Sequence, residues 1–287
     1  MIILWKGRGR IVIWKALLKQ GEEILVQAGI ADAELDAWYL LEYVSGMSRA
    51  AFFLHGEEEA AESQENAYLT LIRSRKEHIP LQHLTGTQEF MGMEFMVSKD
   101  VLVPRQDTEL LVENLLPFVQ DRQVLDLCTG SGCIGISLAK LGNPKSVDAV
   151  DLSKDALAVA RENARNLQAE ICFIESDLFT AVVKQYDVIV SNPPYIASDV
   201  IDTLMPEVKE HEPMMALDGG ADGLDFYRRI AKEALIHLKS EGMLWLEIGY
   251  DQGETVSEIL RQQGYEQVAC LKDLCGLDRV IRAVRPR

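Results

Sequence analysis

The sequence predicts an α/β protein: a mainly parallel sheet with helices on both faces, closed by an antiparallel C-terminal hairpin and preceded by a small helical N-terminal domain. Three observations carry this expectation. From Val124 onward, short apolar runs alternate with amphipathic stretches long enough to be crossover helices, the pattern of a parallel sheet wound right-handedly. Two late runs, Gln267 to Leu271 and Arg279 to Val284, are joined only by Lys272 to Asp278, too short for a crossover helix, so they should pair antiparallel. The region before residue 85 carries helical periodicity instead.

Taken in order, Ala37, Leu40, Leu41 and Val44 fall at i, i+3, i+4 and i+7 behind a candidate cap at Asp32. A second helix is expected from Ala60 to Lys76, burying Tyr68, Leu69, Leu71 and Ile72. The acidic run Glu57, Glu58, Glu59, Glu62 and Glu65 suits the positive end of that helix, and would equally suit a surface that meets a basic partner. Gly86 and Gly92 punctuate an alternating segment from Thr85 to Val103, a hairpin linker. Asp107 is expected to cap a short helix containing Leu110, Leu111 and Leu115. Strands then follow at Val124 to Leu127, Ser146 to Val150, Ile171 to Glu175, Asp187 to Val190 and Met243 to Ile248. Helices lie between them at Cys133 to Leu141, Lys154 to Leu167 and Asp222 to Leu238.

At 287 residues, with 48% hydrophobic and 26% charged residues, the chain can bury a full core and accommodates a large domain with a smaller companion. Its net charge of -16 repels polyanions, which disfavours nucleic acid as a partner. Five cysteines, without the two-residue spacing of zinc knuckles, predict reduced thiols, buried or semi-buried, and no metal. Basic residues interrupt the opening apolar stretch before it reaches the length of a signal segment, so a cytoplasmic protein is expected.

The segment Asp126-Leu127-Cys128-Thr129-Gly130-Ser131-Gly132-Cys133-Ile134-Gly135 follows the first strand of the sheet and opens a helix. Gly130, Gly132 and Gly135 satisfy the dinucleotide spacing, with Asp151 at the end of the next strand. Glycines admit a close ligand and Asp151 can accept both ribose hydroxyls, which describes any adenosine cofactor; methyltransferase and dinucleotide enzyme both remain open on this segment. Asp126 would suit an amino-acid ammonium better than a pyrophosphate, although it could instead accept backbone N–H groups in the turn. Asp177, after the third strand, can accept an adenine amine while Leu178 covers the ring; a helix cap is the alternative.

Ser191-Asn192-Pro193-Pro194-Tyr195 leaves the apolar strand Val188-Ile189-Val190 on the same sheet edge as the glycine loop. The prolines fix two φ angles, so the Asn192 side chain and the Pro193 carbonyl can act as fixed acceptors beside the flat face of Tyr195. Such a pair suits a planar amide or aromatic NH2, a poor nucleophile that must be oriented and stabilised as it gains charge.

At this point the chain resembles the bacterial peptide chain release factor N5-glutamine methyltransferases. The resemblance rests on Val103-Pro104-Arg105-Gln106-Asp107-Thr108-Glu109, the Asp126 to Gly132 loop, Asp151, Ser176-Asp177-Leu178-Phe179 and Asn192-Pro193-Pro194-Tyr195. It continues through Glu212-Pro213, Ala216-Leu217, Gly219-Gly220, Glu247-Ile248-Gly249, Lys272-Asp273 and Asp278-Arg279. It implies a Rossmann-like domain that uses S-adenosyl-L-methionine to methylate the glutamine of the release factor Gly-Gly-Gln loop. Asp126, Cys128, Thr129, Gly130, Ser131, Gly132, Asp151, Asp177, Leu178 and Asn192 would then line the cofactor. Asn192, Pro193, Pro194 and Tyr195 would surround the acceptor amide, with Asn192, Pro193 and Tyr195 catalytic. The chain departs from the family at Cys128, where glycine is common and where a thiol is tolerated if φ is negative. It departs also at Gln106, where proline is usual, and in its first ten residues.

The resulting division is a helical substrate-recognition domain at 1–84, a hairpin linker at 85–103 and a methyltransferase domain at 104–287. One glutamine offers too little area for a specific encounter, which assigns release factor recognition to the helical domain. The free enzyme is expected to be monomeric and to bind neither nucleic acid nor membrane. The nearest alternative is an adenine-N6 methyltransferase, whose exocyclic amine poses the same chemistry but demands a basic groove.

Overall fold

The computed structural model describes Leu4–Trp5 and residues 10–287, and it comprises two compact units, Met1–Gly86 and Thr87–Arg287. The unusual leader therefore falls largely outside the described residues. In the first unit, the short strands β1 (Leu4–Trp5) and β2 (Arg10–Ile11) pair antiparallel. Five helices follow: α1 (Trp14–Gln27), α2 (Ala33–Ser45), α3 (Arg49–His55), α4 (Glu62–Lys76) and α5 (Leu81–Thr85). Leu17 and Leu25 of α1, Leu40 and Leu41 of α2, and Tyr68 and Ile72 of α4 are fully buried in one apolar cluster. Asp32 occupies the N-cap of α2 but makes no side-chain cap bond. Glu57 and Glu58 precede α4 and pair with Lys15 and His55 at the surface.

The second unit opens with an antiparallel hairpin, β3 (Thr87–Phe90) and β4 (Met93–Met96), turning through Gly92 at φ 71°. Helix α6 (Gln106–Leu115) starts two residues earlier than the expected cap requires: Arg105 is the N-cap, and Asp107 sits within the first turn. There the carboxylate favours the helix dipole rather than capping a backbone N–H. The chain continues as β5 (Gln123–Leu127), α7 (Cys133–Leu141), β6 (Ser146–Asp151), α8 (Lys154–Asn166), β7 (Cys172–Glu175) and β8 (Tyr186–Ser191). It ends as α9 (Pro206–Lys209), α10 (Asp225–His237), β9 (Leu238–Glu247), α11 (Gly253–Gln262), β10 (Glu266–Lys272) and β11 (Asp278–Val284).

The seven strands are ordered β10-β11-β9-β8-β5-β6-β7. Strands β9, β8, β5, β6 and β7 run parallel, while β11 pairs antiparallel with both β9 and β10, so the mainly parallel sheet with an antiparallel C-terminal hairpin is the observed architecture. Helix α11 was not anticipated. It buries Val256 and Leu260 on one face and supplies the connection from β9 to β10. Val188, Val190, Leu125, Leu244 and Leu246 are fully buried, because strands covered by helices on both faces need no polar side. No described helix is long and apolar enough to cross a membrane.

Candidate active site

Chain order reverses direction across β5: β6 and β7 lie on one side of it, β8 and β9 on the other. Ligands of open parallel sheets gather outside the carboxyl ends of the strands at such a switch point. Here those ends carry Cys128 to Gly132, Asp151, Ser176 to Leu178 and Asn192 to Tyr195. They surround a cavity of about 570 Å³, well within the size of small-molecule sites.

Of the residues singled out in the sequence, Cys128, Thr129, Gly130, Ser131, Asp151, Asp177, Leu178, Asn192 and Pro194 line this cavity together. Asp126, Gly132, Pro193 and Tyr195 are not part of its wall.

Asp126 is fully buried beneath the glycine loop, where its Oδ2 accepts the Thr129 hydroxyl at 2.6 Å and the Gly135 N–H at 3.0 Å. Its Oδ1 has no hydrogen-bond partner among the described residues. Burial raises this carboxyl to about 7, opposed by those two hydrogen bonds. The backbone-holding role is thus the one the geometry displays. A Cβ at Gly135 would approach Asp126 Oδ2 to 3.0 Å, so the third glycine lets α7 settle onto the strand. Gly132, at φ 83°, is the N-cap of α7.

Asp151 accepts the Gly130 N–H at 2.8 Å through Oδ2 and the Ser153 N–H at 2.9 Å through Oδ1. Each oxygen keeps acceptor capacity toward the cavity. Burial raises its pKa. Asp177 does not cap a helix: its Oδ1 accepts Arg229 Nη2 at 2.8 Å, and both side chains face the cavity. Leu178 is buried at φ 47°, and Cys128 has φ 57°. The condition under which a thiol would replace glycine without strain is therefore not met. Two non-glycine residues in the left-handed region flank one cavity, as strain concentrated at a ligand site would have it. Burial pushes the Cys128 thiol upward, which keeps it protonated and inert. Cys133 is buried, whereas Cys172, Cys270 and Cys275 are exposed, contrary to the expectation that the thiols are hidden.

Ser191 Oγ donates to the Leu127 carbonyl at 2.8 Å, tying the strand exit of β8 to that of β5. Asn192 follows, with Nδ2 donating to Thr108 Oγ1 at 3.3 Å. Pro193 is buried, and the Tyr195 ring packs against the core of the sheet while its carbonyl accepts Gln252 Nε2 at 3.0 Å.

Arg105, Thr108, Glu212 and Glu247 belong to the site's construction and were not singled out individually. Arg105 Nη2 lies 2.7 and 2.8 Å from the two oxygens of Glu212, whose carboxylate is buried. Burial raises Glu212, and Arg105 opposes the rise. Their separation of 107 residues left no local signal beyond the Val103 to Glu109 and Glu212-Pro213 segments themselves.

Two family models match different parts of the chain. The family described as PrmC N-terminal domain matches residues 16–86, and the family described as Methyltransferase small domain matches residues 103–208. The Release factor glutamine methyltransferase of Clostridium botulinum is 41% identical over 280 residues, covering 95% of this chain and 99% of that one. The chain belongs to the release factor glutamine methyltransferase family. Another family member, from Bacillus subtilis, is 39% identical over 278 residues, covering 93% of this chain and 96% of its own. Among solved structures, a methyltransferase from Pyrococcus furiosus superposes with a TM-score of 0.55 at 18% identity, covering 69% of this chain and 91% of its own, a likeness of fold.

Proposed function

We propose that this family member transfers a methyl group from S-adenosyl-L-methionine to the side-chain amide nitrogen of the glutamine in the Gly-Gly-Gln loop of peptide chain release factors. The observation that carries the chemistry is the position of Asn192 on the wall of the same cavity as the glycine loop and Asp151. The family membership carries the substrate.

The cavity suits the cofactor. Asp151 retains lone pairs for ribose hydroxyls, Leu152 and Leu178 offer apolar cover for an adenine ring, and Gly130 leaves backbone uncovered. Asp177 keeps one carboxylate oxygen clear of Arg229 for an exocyclic amine. Thr129 and Ser131 add hydroxyls, and Asp126 with Gly132 holds the loop from behind. When bound, S-adenosyl-L-methionine supplies an electrophilic methyl carbon.

This chain's own residues then orient the nucleophile. The Asn192 Oδ1 and the Pro193 carbonyl each accept one N–H of the glutamine amide, aligning its nitrogen for in-line attack and favouring the positive charge it gains. Pro194 stands on the cavity wall beside the amide plane, and Tyr195, its ring packed on the core, keeps that strand exit rigid. The nitrogen forms its bond to the methyl carbon as the carbon–sulfur bond breaks, and the amide proton leaves afterward to solvent, so no strong base is needed.

The helical region, 1–84, supplies the contact area that one glutamine lacks, while 104–287 carries catalysis with the 85–103 hairpin as linker. Phe53 and Leu54 of α3, 82% and 73% exposed, are the large apolar side chains that such a contact would cover. The enzyme acts in the cytoplasm as a monomer, with the release factor as protein substrate and no nucleic acid. Incubation with labelled S-adenosyl-L-methionine and, separately, intact release factor, its glutamine-to-glutamate variant and adenine-containing nucleic acid tests this. Label should enter the intact factor alone, because glutamate has no NH2. Label in nucleic acid would favour the adenine-N6 alternative.

A further inference from the structure

Asn192 can serve as an acceptor only if its amide is turned the right way, and an asparagine amide has two orientations of nearly equal shape. What selects one lies behind it. In the parallel pairing of β8 with β9, Ser191 stands opposite Leu246, so the next residues follow side by side, Asn192 just past the end of β8 and Glu247 as the last residue of β9. Thr108, from the first turn of α6, lies across them. Both Thr108 and Glu247 are 2% exposed. Thr108 Oγ1 accepts Asn192 Nδ2, which leaves its own hydroxyl proton free, and the neighbouring Glu247 carboxylate is the acceptor toward which Thr108 and Asn192 can turn.

Asp107 raises this carboxyl and Arg279 lowers it, and its charge in turn raises Tyr195, Tyr227 and Cys133. Arg279 is itself engaged by Asp107 at 3.2 Å and Asp273 at 3.0 Å. Glu247 Oε2 has no hydrogen-bond partner among the described residues. Burial raises Glu247 to about 7, so above that pH it is an ionised carboxylate that repels another oxygen and attracts an N–H. Reversing the Asn192 amide would set its Oδ1 against both Glu247 and the Thr108 lone pairs.

We infer that Thr108 and Glu247 are positioning residues that lock the Asn192 amide with Nδ2 turned inward and Oδ1 presented to the acceptor nitrogen. This rests on the methyl-transfer reading for its purpose, but not for its geometry. Glu247 is not on the cavity wall, and Thr108, which is, is all but covered. They act through Asn192, and removing them leaves the amide free to offer an N–H where an acceptor is required.

The test uses the full-length enzyme labelled with 15N-asparagine, the Asn192 side-chain signal being identified by its loss in Asn192→Asp. In the free wild type, that NH2 should exchange slowly with solvent; in Thr108→Val it should exchange faster, and in Thr108→Ser it should be protected again. Steady-state methylation of release factor should follow the same order, with kcat down about tenfold in Thr108→Val and restored in Thr108→Ser. KM for either substrate should stay within about twofold, because orientation matters in the transition state more than in binding. Glu247→Gln, which keeps one acceptor oxygen, should retain more turnover than Glu247→Leu. If the Glu247 variants fail to fold, the Thr108 pair decides alone. Unchanged amide exchange in Thr108→Val, or full kcat in that variant, would overturn the inference. Absence of glutamine methylation by the wild type would instead overturn the functional reading, and the exchange measurement would still decide the orientation.

Discussion

The Asp151 carboxylate accepts the Gly130 N–H at 2.8 Å, so the residue at the tip of β6 holds the glycine loop at the end of β5. A ribose ligand and the loop's own backbone therefore share one side chain. Asp151→Ala should weaken S-adenosyl-L-methionine binding by about 1.5–3 kcal/mol, the scale of hydrogen bonds to a charged group. Asp151→Asn keeps one oxygen for backbone and should lose less. Calorimetric titration of the folded variants checks both, and an unchanged dissociation constant in the alanine variant would remove Asp151 from the site.

For Asn192, the loss should fall on turnover. Asn192→Ala removes an acceptor that matters most when the amide nitrogen becomes positive, so kcat should drop about a hundredfold or more while cofactor affinity changes little. Single-turnover kinetics with saturating release factor separates the two effects. Near-normal turnover would contradict the role.

The parts of the site written in contiguous segments were legible in advance, and the parts assembled across the fold were not. Gly130, Asp151 and Asn192 each follow a strand, and parallel topology alone brings strand ends to one edge. Thr108 meets Asn192 across 84 residues, and Glu247 sits at the end of an apolar strand where a carboxylate is indistinguishable from a solvated terminus. Helix α11 has a single apolar stripe without the caps that would have announced it, Gln252 making no side-chain cap bond. The sequence suggested a negative φ as the way to seat Cys128; tertiary packing imposed the opposite sign.

That left-handed Cys128 makes a stability prediction. An L-residue there costs about 1–2 kcal/mol, roughly what the extra chain entropy and lost packing of glycine would offset. Cys128→Gly should therefore change stability by less than about 1 kcal/mol, whereas β-branched Cys128→Val should cost about 2–3 kcal/mol. Denaturant titration measures both. A larger loss for glycine than for valine would refute the strain.

Asp126 makes the fold pH-sensitive. Its carboxyl is raised from 3.8 to about 7 in the folded protein, so between those values the unfolded chain is ionised and the folded one is not. The folded state then holds the extra proton, and stability falls as pH rises through that window. Asp126→Asn keeps an oxygen for Thr129 and Gly135 but cannot ionise. Relative to the wild type it should gain about 1.4 kcal/mol per pH unit across the window and level off above it. Denaturation of both proteins at pH 4 to 8 provides the check; parallel curves would mean that Asp126 is ionised when folded.

The central claim is that the acceptor is a glutamine amide nitrogen in a release factor, and the mass spectrum of that factor after incubation with enzyme and S-adenosyl-L-methionine tests it most directly. The predicted result is one added methyl group on the peptide carrying the Gly-Gly-Gln loop, with fragmentation placing it on the glutamine side chain, and none after Asn192→Ala under the same conditions. An unmodified loop glutamine, with the methyl on another residue or on adenine in a parallel nucleic-acid reaction, would contradict the account.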